Sequence, residues 1–130
     1  MQMIVIPRPD PESISFAYGI MDILERKIGE NGLPKLQYRI FDDGPAEALQ
    51  MQEIVPVVLI QADLNLGKSN SEWLSDFRNA FPHAKIYVLD GWLMLPREKG
   101  LDKADGVLNG QNVFELMDLM LEIVQEDIYA

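Results

Sequence analysis

Five short apolar runs recur along the chain, at residues 3–6, 36–41, 55–60, 85–89 and 105–108. All but the second lack a polar face, as parallel strands covered on both sides do; the second, "LQYRIF", alternates like an edge strand. Helical spacing fills the intervals. Over 12–29, Ile14, Ala17, Tyr18, Met21, Leu24 and Ile28 fall on one face, with Asp10 or Ser13 placed to cap the start and Gly29 or Gly32 the end. A short helix is predicted over 46–54. A third, over 71–81, puts Leu74, Phe77 and Phe81 on one side and stops before Pro82. One or two turns are expected over 95–101, and a strongly patterned last helix over 112–125.

Strand and helix signals thus alternate from end to end, with no repeat and no Gly/Ser linker. The expected fold is α/β, a single domain over residues 1–130 with a doubly wound, five-stranded parallel sheet of order 2-1-3-4-5, flavodoxin-like, with helices on both faces. In such sheets ligands gather at the carboxyl ends of the strands, beside the point where strand order reverses. Here that end carries the loops "PRPDP", "ADLNLGKSN" and "DGWLMLP".

At these loops the chain resembles the receiver domain of bacterial response regulators: "ADLNLG" before a helix, "FPHAKIYVLDG", and "ADGVLNG" before an amphipathic last helix follow that family's order over nearly the whole chain. The resemblance implies an acidic pair after strand one and an acceptor aspartate after strand three around a magnesium ion. It also implies a hydroxyl after strand four and a lysine after strand five. Asp63 stands at the acceptor position, the metal and the lysine being needed to screen an attacking carboxylate from a phosphoryl group. The surroundings depart from the pattern. Pro7 and Arg8 replace the acidic pair, Asp90 the hydroxyl, Gly110 the lysine, and Val107 the aromatic switch residue. Arg8 brings a cation to the metal position and Asp90 an anion to the phosphoryl position, so a degenerate pocket, a pseudo-receiver without phosphotransfer, is the expectation.

In that pocket Arg8 is expected to pair with Asp63, Asp90 or both. Two alternatives stay open for Asp63. It serves as a loop aspartate capping a turn or helix, or, if strand three ends two residues earlier, Gln61 takes the strand end and the acceptor is lost. No cofactor is expected, although Asp10 reaching the site leaves weak magnesium binding open.

Composition narrows the rest. The 21 acidic against 11 basic residues give a formal charge of −10, which disfavours nucleic acid and anionic membrane as partners. With no cysteine and one histidine, His83, thiol chemistry and histidine-rich metal sites are excluded. No apolar run approaches a membrane span and Arg8 and Asp10 interrupt the first one too early for a signal peptide, so a cytoplasmic protein is expected. "GKSNS" lacks the upstream glycine of a phosphate loop, and Ser69 and Ser71 have no evident base. A flavodoxin-like small-molecule domain is a further alternative, but "PRPDPES" lacks the Ser, Thr and Gly that a flavin phosphate loop needs.

Function is therefore expected on the surface, through a protein partner or a homodimer, and not through catalysis. The interface candidates are Phe16, Ile20 and Ile23 as a second apolar stripe on the first helix, Trp92 and Met94 after strand four, and Phe114, Met117 and Leu121 on the last helix. A receiver phosphorylated on Asp63 is the competing function.

Overall fold

The computed structural model describes residues 1–90 and 103–130. Five parallel strands form one sheet in the order β2-β1-β3-β4-β5, as expected. They are β1 (Met3–Ile6), β2 (Tyr38–Ile40), β3 (Val57–Gln61), β4 (Lys85–Asp90) and β5 (Gly106–Asn109). Four described helices accompany them, α1 (Pro11–Glu30), α2 (Pro45–Leu49), α3 (Asn70–Ala80) and α4 (Val113–Ile123), the last running on into a π-helical turn over Val124–Ile128. The turns expected over 95–101 lie outside the described residues.

Alternation along the central strands divides the core in two. Met3, Val5, Val57, Leu59, Leu89 and Leu108 face α1 and α4, where Met21, Leu24, Leu116 and Met120 meet them. Ile4, Ile6, Val58, Ile60, Ile86 and Val88 face α2 and α3, against Ala48, Leu74, Phe77 and Phe81. Both faces of β1 and β3 are thereby buried, which is why their sequences show no polar face. The last strand differs from expectation. β5 lies at the sheet edge, and Val107 is 44% exposed.

Helix ends follow local chemistry. Pro11 occupies the first turn of α1, where a missing N–H costs nothing. At the other end Gly32 takes φ +67°, its N–H bonds to Gly29 O and that of Leu33 to Ile28 O, so Gly32 rather than Gly29 closes the helix. α3 begins with a reciprocal capping box between Ser69 and Glu72. α2 is shorter than the expected 46–54. At the far end of α3, β4 and β5 are tied together, where Arg78 donates to Asp105 at 2.6 Å and Asp105 accepts from the Ile86 N–H. Burial pushes the Asp105 carboxyl up, but these two donors outweigh it and hold it below the usual carboxylate range.

Candidate functional site

β1 and β3 end side by side, Ile6 paired with Ile60, and deliver Arg8 and Gln61 to the carboxyl edge of the sheet. Gln61, not Asp63, is the last residue of β3, so the shorter of the two strand readings holds. Gln61 is 7% exposed, and its amide is bonded at both ends. Oε1 accepts from the Arg8 N–H at 2.9 Å and Nε2 donates to Ser13 Oγ at 3.3 Å. Ser13 Oγ in turn donates to Asp10 Oδ2 at 2.7 Å and accepts from Arg8 Nε at 3.4 Å. One hydroxyl, itself 1% exposed, therefore joins the β1–α1 loop to the end of β3 and uses its single proton on Asp10.

Asp63 lies beyond the strand, in the left-handed region at φ +59°. Its N–H donates to Asn70 Oδ1 and its Oδ1 accepts from Asn70 Nδ2, both at 2.8 Å. The side chain thus ties the β3–α3 loop to the first residue of α3, while the cap of that helix is Ser69. The expected pairing of Arg8 with Asp63 does not form: the Arg8 Nε turns to Ser13 and the Asp63 carboxylate to Asn70. The physical reason is placement, because the Arg8 backbone is fixed by Gln61 and Asp63 by Asn70.

Asp90 ends β4 and is 8% exposed; its carbonyl accepts from the Gly110 N–H at 2.8 Å. A Cβ on Gly110 would stand 3.5 Å from both Phe16 Cζ and Leu89 Cδ1, so a long side chain from this position would have to pass the Phe16 ring. Asp10 keeps one buried carboxylate oxygen, Oδ1, without a hydrogen bond. Among the described residues, however, no three His, Cys, Asp or Glu side chains come together to hold a cation. Arg8, hydrogen-bonded to the same Ser13 hydroxyl, adds a positive charge that opposes a cation there.

The interface candidates divide. Ile20 is 2% and Met117 1% exposed, and both are core residues facing the sheet. Ile20 displaces Tyr18, which was expected inside; Tyr18 is 48% exposed and its hydroxyl donates to Asp42. Phe16, Ile23 and Leu121 are half-buried against the same core, whereas Phe114 is 82% exposed. Trp92 and Met94 lie outside the described residues. Phe16, Gly19, Ile20, Ile23 and Val113 line an open, mostly apolar groove on the α4 side of α1. Gln61 and Ser13 are the site residues that the sequence hid. The only sign of Gln61 was its place at the end of an apolar run, and Ser13 looked like a helix cap.

No family model matches the sequence, and no curated protein does. Among solved structures, a response regulator from Thermotoga maritima is similar, with a TM-score of 0.60 at 14% identity over 100% of this chain and 99% of that one. An adenylate cyclase structure from Rhodopirellula baltica gives a TM-score of 0.54 at 13% identity, over 96% of this chain and 97% of that one. With the strand order and the paired helical layers described above, these likenesses establish that the chain has the fold of a response-regulator receiver domain.

Proposed function

We propose that this domain is a phosphorylation-independent signalling module, a pseudo-receiver that acts in the cytoplasm by contact with a protein partner and carries no catalytic activity of its own. One observation supports this most directly. The residue at the end of β3 is an amide, Gln61, bonded on both sides to Arg8 and Ser13. An amide is a poor nucleophile for a phosphoryl group, and its hydrogen bonds hold the β1–α1 loop without a metal.

Asp63, the alternative acceptor, has its Oδ1 and its backbone N–H engaged by Asn70. Phosphorylation there would have to break this pairing beside a net charge of −10. The test is a titration with magnesium and beryllofluoride, read by tryptophan fluorescence, on the native domain and on Asp63→Asn. The expected result is the same unsaturable response from both. A saturable change lost in Asp63→Asn would make the domain a phosphorylated switch instead.

A homodimer is the second form of this reading, favoured by the 82% exposure of Phe114 on α4. Its check is the solution mass as a function of concentration, with Phe114→Ser expected to return any dimer to monomer.

A further inference from the structure

Two asparagines of this chain stand directly before a glycine, Asn31 before Gly32 and Asn109 before Gly110. In that order the backbone nitrogen of the glycine, unshielded by a Cβ, can attack the carboxamide of the asparagine. The dipeptide alone ranks the two positions equally. The structure separates them.

Asn31 sits inside the motif that ends α1. Its N–H and its Nδ2 both donate to Lys27 O, at 3.0 and 2.7 Å, and the Gly32 N–H donates to Gly29 O at 3.1 Å. Attack there has to break the close of a twenty-residue helix, and the side chain is held by the nitrogen that would have to leave.

Asn109 is the exposed last residue of β5, at the sheet edge, and faces Asp90 in the final pair of the β4–β5 ladder. Its side chain is held by the other end. Oδ1 accepts from the Gln111 N–H at 2.8 Å, a donor on the oxygen that turns negative when the carboxamide carbon becomes tetrahedral. The nucleophile, the Gly110 nitrogen, donates to Asp90 O at 2.8 Å just past that final pair. Fraying of the end of an edge strand releases this bond, a small local opening compared with the loss of a helix end.

We propose that Asn109 is a modification site, at which the chain deamidates through its own Gly110 nitrogen. The Gly110 nitrogen bonds to Asn109 Cγ and gives up its proton. The bond from Cγ to Nδ2 breaks, and Nδ2 leaves as ammonia with that proton, so a succinimide ring remains. Solvent water then opens the ring. Addition at Cγ restores the backbone with an aspartyl residue, and addition at the main-chain carbonyl leaves an isoaspartyl residue; neither step changes oxidation state. Either product puts a new carboxylate where β5 ends beside Asp90, and the isoaspartyl one inserts a methylene into the backbone between β5 and α4. The inference is independent of the reading of the domain as a pseudo-receiver.

The test is to age the full chain in mildly alkaline buffer, folded and in urea, and to read both positions by peptide mass spectrometry, with chromatography separating aspartyl from isoaspartyl peptides. In the folded chain Asn109 is expected to deamidate at least fivefold faster than Asn31. In urea the two rates should converge. Gly110→Ala adds a Cβ with ordinary contacts of 3.5 Å to Leu89 and Phe16, so the fold should tolerate it. It should slow Asn109 at least tenfold and leave Asn31 unchanged. Equal rates in the folded chain, or a faster Asn31, would overturn the assignment. So would an Asn109 that reacts only in urea, or one that reacts as fast in Gly110→Ala.

Discussion

The carboxyl edge of the sheet and the α4 side of α1 lie next to each other, yet they are finished in opposite ways. At the edge Gln61 is bonded to Arg8 and Ser13, and Asp63 to Asn70, leaving Asp10 Oδ1 as a buried oxygen without a hydrogen bond. On the helix flank an apolar trough is left open, with a glycine where almost any other residue would make a better helix. A polar cluster whose donors and acceptors are mostly matched internally offers little to a ligand, whereas uncovered apolar surface gains free energy when something covers it. Of the two, the flank is the surface with more to gain from being covered.

The comparison can be broken from either side. The largest effect is expected from the core that both regions share: Met117→Ala should cost about 2–5 kcal/mol in urea unfolding, because a fully buried thioether leaves a cavity beneath α4. Next comes Gln61→Leu, which strands the Arg8 N–H and leaves Ser13 Oγ short of a donor. A loss of about 2–3 kcal/mol is expected by the same measurement, and a loss near zero would mean that the edge is not a closed network. Gly19→Ala works in the other direction, with a gain of roughly 0.5–1 kcal/mol in stability seen as a raised unfolding midpoint. The smallest change belongs to Phe114→Ser, within about 0.5 kcal/mol for the monomer. A larger loss at that position would show that the ring is covered by something in solution.

The sheet was legible because β1, β3 and β4 are buried in ways that leave a clear mark, unbroken apolar runs separated by helices of period 3.6. β1 was found to the residue. The register of the site was harder for a physical reason. Burial does not stop at the end of β3: Gln61, Ala62 and Leu64 are all under 10% exposed, so hydrophobicity gives no sign of where the strand becomes a loop. Asp63 was placed by its neighbours in the sequence, and a slip of two residues moved the strand end to Gln61. On α1 the confusion between Tyr18 and Ile20 has a similar origin. Both border the buried arc, and tyrosine is at home on either side of it once its hydroxyl finds an acceptor such as Asp42. On the last helix, an apolar arc wider than the contact could not say that Met117 turns inward and Phe114 outward.

The Arg8 and Asp63 amides lie in loops, beyond the last ladder pairs of β1 and β3, yet both donate to buried side chains, Gln61 Oε1 and Asn70 Oδ1. Solvent deuterium cannot reach them by loop fraying alone, since each acceptor is fixed to a neighbouring strand or helix. Their exchange is then expected to follow the opening of β3 and α3, and hydrogen exchange should show these two nominal loop positions protected like strand interiors.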